Sequence, residues 1–284
     1  MAAPVLALLD PAGGEPVLAD AATPVLRADD LGVLRGESVF ETIRVAGGRP
    51  AFLDAHLRRL ARSAQRLDIE LPGGWDTLAA TAVDAYDDAD GVLRLLCSKG
   101  PADTGPVGFA LVTPVPAVTV QGREQGVRAI TLTLGIPAGL RATSPWLLGG
   151  VKSTSYAVNM ASLRHAADEG AEDAIWLSTD GEVLESPTST VAWVSGGRLV
   201  TPPAGEVSIL PGTTMDVALG LCDALGTPYE VRRGTTEELL AAQEVLLLSS
   251  VRGVAPVVQL DGRPLGIGPV TAALRDAFEA ALVA

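Results

Sequence analysis

The sequence predicts an α+β chain of two domains, and three patterns carry that reading. Residues 1–115 alternate between strand and helix periodicities. The proline-rich run Thr113–Ala117 (TPVPA) reads as a crossing. Beyond it, short apolar runs are punctuated by Asp180-Gly181, Gly196-Gly197 and Asp261-Gly262 turns, which suit a mostly antiparallel sheet. The expected organisation is a small α+β domain over 1–115, a linker over 116–122 and a larger domain over 123–284. A chain of 284 residues can bury a substantial core.

In chain order, Val39–Val45 (VFETIRV) alternates and is β-branched, so it reads as a strand. Leu57, Leu60, Ala64 and Leu67 share one face of a helix over Leu53–Leu67. Trp75–Ala89 reads as a second helix, and Val92–Ser98 and Gly108–Val112 as strands. Val127–Leu134 opens the second part as a strand, and a Gly- and Pro-rich loop leads to Lys152. A helix over Val158–Glu169 stops at Gly170. Ala174–Leu177, Glu182–Glu185, Thr190–Val194 and Arg198–Thr201 read as short strands. A helix over Thr213–Leu225 ends at Gly226, strands follow at Glu244–Leu248 and Val254–Leu260, and the last helix covers Pro269–Leu282.

The formal charge of −13 would repel a phosphate backbone, which argues against a nucleic-acid partner. Cys97 and Cys222 sit in apolar runs and read as small buried hydrophobes rather than a disulfide framework. Only His56 and His165 are histidines, which argues against a His-rich metal site, and no metal is expected. The N-terminal run lacks a basic region, so no signal peptide is expected. The longest uncharged stretch, Thr104–Gly122, is broken by Pro106, Pro114 and Pro116 and is too polar to span a membrane. The expected location is the cytoplasm, without membrane contact.

Among 21 basic residues only Lys99 and Lys152 are lysines. Arginine cannot form a Schiff base, because its guanidinium stays charged and is not nucleophilic. Lys152 lies in GGVKSTSYAVN. A P-loop requires Gly directly before its Lys, and Val151 stands there. Leu210-Pro211-Gly212-Thr213-Thr214 opens a helix, where backbone N–H groups and hydroxyls can cup a phosphate; a plain helix start gives the same string. Ser250 ends an apolar strand and can add a hydroxyl. Arg59 lies between Arg58 and Arg62 on the first long helix, and Glu185 ends a short strand. Together an amine, a carboxylate, a helix-start cup and one cation match the needs of pyridoxal phosphate.

On these residues the chain resembles the fold-type IV pyridoxal-phosphate enzymes, the class IV aminotransferases. The resemblance runs from VFETIRV to SSVRGVAPV. Lys152 matches the family's Schiff-base lysine, and Glu185 its later glutamate at the pyridine nitrogen. Leu210–Met215 matches the phosphate loop. His56-Leu57-Arg58-Arg59-Leu60 matches the HLxRL helix, which gives Arg59 a phosphate-binding role, and Ser250 matches the late hydroxyl. The resemblance thus implies a pyridoxal 5'-phosphate cofactor held by Lys152, Glu185, Arg59, Gly212, Thr213, Thr214 and Ser250. It also implies a barrel-like sheet in the large, cofactor-binding domain, and a homodimer. Thr190 stands where the family often has Asn, and Met215 where its phosphate loop usually ends in Arg. Tyr156 reads equally well as a buried tyrosine and as a neighbour of the cofactor's phenolic oxygen.

Within the family, Thr42 resembles the threonine of aminodeoxychorismate lyases, where branched-chain aminotransferases usually carry Gly. The run KGPADTGPVG lacks the Arg-x-His pair of D-amino acid transaminases. The implied activity is a lyase that splits 4-amino-4-deoxychorismate into pyruvate and 4-aminobenzoate, a folate precursor, with Lys152 and Thr42 catalytic. The alternative is an aminotransferase acting on D-amino or branched-chain amino acids. Either way the substrate is a small amino compound.

Overall fold

A computed structural model describes residues 2–10, 13–207 and 209–283. The chain divides into two compact units. The first holds residues up to Pro116 together with Val151–Tyr156. The second holds Ala117–Gly150 and Ala157–Leu282.

The first unit is built on an antiparallel sheet. Its strands lie in the order Val17–Ala19, Val5–Leu8, Val107–Thr113, Gly91–Ser98, Ser38–Ala46, Arg49–Pro50. Strand alternation divides the side chains. Val39, Ile43 and Val45, with Leu93, Leu95, Cys97, Ala110 and Val112, form one apolar face. Helices Leu53–Arg66 and Trp75–Asp84 bury Leu60, Ala64, Leu78 and Ala79 in the same core. The opposite face carries Phe40, Thr42 and Arg94, all half-buried. The segment 151–156 runs beside the strand Ser38–Ala46: Val39 bridges Ser153, and the Thr154 N–H donates to the Ser38 carbonyl at 3.0 Å.

The second unit has a mixed sheet. Its main order is Tyr229–Val231, Arg198–Thr201, Thr190–Ser195, Glu244–Ser249, Gly253–Leu260, Val127–Thr133, Asp173–Leu177. The hairpins expected at Gly196-Gly197 and Asp261-Gly262 are antiparallel. The pairings of Val127–Thr133 with Gly253–Leu260 and with Asp173–Leu177 are parallel, as is that of Arg198–Thr201 with Tyr229–Val231. Turn signals specify neighbours in sequence only, so these distant pairings left no local mark. Val191, Trp193, Val245, Leu247 and Val257 centre this core.

Several expected boundaries change. The run 116–122, expected as a linker, opens the helix Ala117–Gln125. The second long helix ends at Asp84 rather than Ala89, because acidic residues oppose the negative end of a helix dipole and Asp87, Asp88 and Asp90 follow. Glu182–Glu185 is no strand; Glu182 and Val183 make only isolated bridges, to Thr235 and Leu177. Short strands at Val5–Leu8 and Tyr229–Val231 and the helix Thr236–Ala241 add to the expected elements. Among the described residues no helix is long and apolar enough to cross a membrane.

Candidate active site

The two lysines are placed differently. Lys99 donates its amine to Glu37 Oε2 at 2.7 Å and to the Leu67 carbonyl at 3.4 Å, with 29% of its side chain exposed. Lys152 is 9% exposed. Its Nζ lies over the Phe40 ring, 4.3 Å from the centroid, and 5.7 Å from that of Tyr156. The two rings meet edge to face at 5.2 Å and 82°. The Lys152 backbone is fixed on both sides. Its N–H donates to Ser63 Oγ at 3.2 Å, and its carbonyl accepts from the Phe40 N–H at 3.1 Å. Tyr156, left open by the sequence, therefore flanks the Lys152 amine.

Thr42 lies two residues beyond Phe40, on the same face of the strand. Its cross-strand partner is Arg94, so these two side chains adjoin on the face that carries Phe40. Arg94 is half-buried and donates Nη1 to Thr113 Oγ1 at 3.0 Å, and among the described residues it has no carboxylate partner. Burial pushes its guanidinium pKa down. The expected place for a substrate cation was after this strand, whereas Arg94 lies within it. The i, i+2 alternation of VLRLLC was the signal available.

Arg59 is buried, whereas Arg58 and Arg62 on the same helix are exposed. Its Nε donates to Glu41 Oε1 at 2.8 Å and its Nη2 to Glu41 Oε2 at 2.7 Å. His56 Nδ1 lies 2.7 Å from the same Oε2. Burial alone would raise the Glu41 carboxyl, but the bonds and charges of Arg59 and His56 outweigh it and hold it at about 2. Burial lowers the His56 pKa; the Glu41 bond opposes this, and the charges of Arg59 and Lys152 add to it. His56 is therefore neutral near pH 7. An ionised carboxylate can only accept, so its Nδ1 carries the proton and donates. The sequence reading missed Glu41 and His56. Positions 56, 59 and 63 line one helical stripe, and that spacing was the available signal.

In the second unit, Glu185 is half-buried and its Oε2 accepts from the Leu210 N–H at 3.1 Å. This ties the glutamate to the head of the loop 210–214. Gly212 has an ordinary backbone conformation, φ −78° and ψ 114°. Its glycine identity follows from close approach: an added Cβ would lie 2.3 Å from Thr190 Oγ1. Thr190, in place of the family's Asn, thus packs its hydroxyl against the loop. Thr213 and Thr214 are 5% and 4% exposed and begin the helix Thr213–Leu225, which has no side-chain cap at its start. First-turn N–H groups have no intrahelical acceptor and favour an anion. Met215 is buried at 5% exposure beside Gly212. Ser250 is half-buried in the turn after the strand Glu244–Ser249. Leu210, Gly212, Thr190 and Glu185 are thus brought together within the second unit, and Lys152, Phe40, Tyr156 and Thr42 within the first.

Residues 38–260 match the amino-transferase class IV family. A bifunctional aminodeoxychorismate lyase / D-amino acid transaminase from Mycobacterium tuberculosis is 40% identical, over 92% of this chain and 94% of that protein. A solved hypothetical aminotransferase from the same organism, in a PLP-bound form, is 38% identical with a TM-score of 0.90, covering 98% of this chain and 99% of that one. A fold IV-transaminase from Curtobacterium pusillum is also 38% identical at TM-score 0.90, covering 99% of each chain. The chain therefore belongs to the class IV aminotransferase family, and it is a pyridoxal-phosphate-dependent enzyme. The residues of each unit fit that cofactor: in the first a buried primary amine against aromatic rings, and in the second a half-buried carboxylate and a helix start without a side-chain cap that carries buried threonines.

Proposed function

We propose that this enzyme is a 4-amino-4-deoxychorismate lyase with amino transfer from D-amino acids as its companion activity. The observation that carries the lyase reading is Thr42 on the face that carries Phe40, whose ring holds the Lys152 amine. The relative from Mycobacterium tuberculosis named for both activities supports the pairing.

Bound pyridoxal phosphate supplies an aldehyde for the amine and a ring that takes up the electrons left when a proton departs. Lys152 would carry the cofactor, and its free Nζ would take the proton from the amine-bearing carbon of the substrate. Phe40 and Tyr156 limit where that amine can move. Glu185 would hold the pyridine nitrogen, where its negative charge would favour a proton. Arg59, Thr213, Thr214, Ser250 and the N–H groups after Gly212 would hold the phosphate. The Thr42 hydroxyl relays a proton as the C–O bond to pyruvate breaks and the substrate ring becomes aromatic. Amino transfer needs only the lysine to move the proton between two carbons. Arg94, beside Thr42, is the cation available for a substrate carboxylate. The enzyme acts as a homodimer, for which exposed Trp146 and Leu147 offer apolar surface.

The test is to assay 4-aminobenzoate formation, and amino transfer from D-alanine to 2-oxoglutarate, in one preparation of the Thr42→Val enzyme. Lyase turnover should fall about 10²-fold, the lower range for one acid–base group, with amino transfer changed far less. An equal fall in both rates, or an unchanged lyase rate, contradicts the role of Thr42.

A further inference from the structure

Asp173 and Arg252 lie 79 residues apart in sequence and meet inside the second unit. Asp173 is 1% exposed. Arg252 Nη2 donates to Asp173 Oδ2 at 2.6 Å and to Ser189 Oγ at 2.8 Å. On its other oxygen Asp173 accepts from Ser186 Oγ, also at 2.8 Å. Both serines belong to the turn after Glu185. The Ser186 N–H donates to the Ser189 carbonyl at 2.9 Å, and the Thr188 N–H to Ser186 Oγ at 3.3 Å. A second brace comes from Asn159, whose Nδ2 donates to the Pro187 carbonyl at 2.6 Å.

Each end of this turn leads to a cofactor segment. Glu185 precedes it and accepts from Leu210 N–H. Thr190 follows it and sets its hydroxyl against Gly212. Arg252 is also two residues beyond Ser250. The ion pair is a poor device for stability alone. With Asp173 buried and the Arg252 side chain 13% exposed, the pair costs desolvation that a single-nitrogen contact repays badly, and Arg252 Nε is buried without a partner. A hydrophobic pair could fill the space, but it could not grip two serine hydroxyls.

We propose that Asp173 and Arg252 are positioning residues, which fix the turn 186–189 and thereby hold Glu185 and the loop 210–214 in register for pyridoxal phosphate. The inference rests on the cofactor roles given above to Glu185 and that loop. Asp173 acts through Ser186 and Arg252 through Ser189.

Three variants of the full-length apoenzyme test this by titration with pyridoxal phosphate, with the pH dependence of the bound cofactor's visible band recorded. Ser189→Ala leaves the ion pair in place and removes one link to the turn. It should weaken cofactor binding about 3- to 10-fold with an unchanged apoenzyme Tm. Arg252→Met strands the buried Asp173 charge, so it should lose both stability and affinity. The double variant Asp173→Leu with Arg252→Met removes both charges. Its apoenzyme Tm should recover, while cofactor binding stays about 10- to 100-fold weak and the band's pH transition stays displaced. Wild-type affinity and band in both Ser189→Ala and the stable double variant would overturn the proposal. Glu185→Gln serves as the reference. If that variant keeps the wild-type band and pH transition, the underlying assignment of Glu185 fails; if it shifts them and the brace variants do not, the inference alone fails.

Discussion

Each unit holds an arginine against a buried carboxylate, Arg59 itself buried and Arg252 half-buried, and the two pairs are built differently. Glu41 takes both Nε and Nη2 of Arg59, one on each oxygen, and His56 adds a third bond. Asp173 receives a single nitrogen of Arg252, and that nitrogen is shared with Ser189. A two-point grip fixes the plane and direction of a guanidinium. A one-point grip shared with a loop hydroxyl fixes the loop instead. The first pair fixes the arginine itself, and on the proposal above the second uses an arginine to hold other residues in place.

The largest expected effect comes from breaking the two-point grip. Glu41→Gln leaves the Arg59 charge buried without a counter-ion and should cost about 3–5 kcal/mol of folding stability. Chemical denaturation checks it, and a loss under 1 kcal/mol would show that Arg59 stands without Glu41. Next is the arginine itself. Charge-assisted bonds to phosphate contribute roughly 1.5–3 kcal/mol, so Arg59→Ala should weaken cofactor affinity about 10- to 100-fold. Exposed Arg58→Ala on the same helix should change it less than twofold. Equal losses would mean that the helix offers only general charge.

Glu185→Gln sharpens the comparison from the other unit, since Glu185 is placed by the braced turn. Loss of one preorganised charge should raise the barrier by about 2 kcal/mol, roughly a 30-fold fall in kcat, with cofactor still bound. A smaller effect attaches to His56. Its folded pKa lies below the ordinary 6.5, so the unfolded chain binds the extra proton and stability falls as pH drops below about 6.5. Glu41, held at about 2 against an ordinary 4.5, contributes stability that is complete above 4.5 and lost toward 2. Tm measured from pH 7 to 5 should decline in the wild type and decline less in His56→Gln. Identical slopes would place the His56 proton elsewhere.

What the sequence disclosed follows the range of its signals. Alternation in VFETIRV placed Phe40 and Thr42 on one face and Val39 and Ile43 on the other, as the sheet has them. Lysine scarcity narrowed the amine to Lys99 and Lys152; the structure buries Lys152 and leaves Lys99 ion-paired and half-exposed. Gly212 was legible as a loop glycine, but its close approach to Thr190 was not, because no spacing rule links the two. The braces of each unit escaped for the same reason. Glu41 meets Arg59 across a strand and a helix, and Asp173 meets Arg252 across most of the second unit. Polar pairs between distant elements leave no periodicity.

The central claim is that Lys152, buried against Phe40, is the residue that carries the cofactor. Borohydride reduction of the yellow holoenzyme fixes the cofactor to its lysine, and peptide mass mapping then reads the site. With only Lys99 and Lys152 in the chain, the outcome is two-valued. The label should fall on the Lys152 peptide, and Lys152→Ala should abolish both label and visible band. Label on Lys99, or a band that survives in Lys152→Ala, would contradict the account.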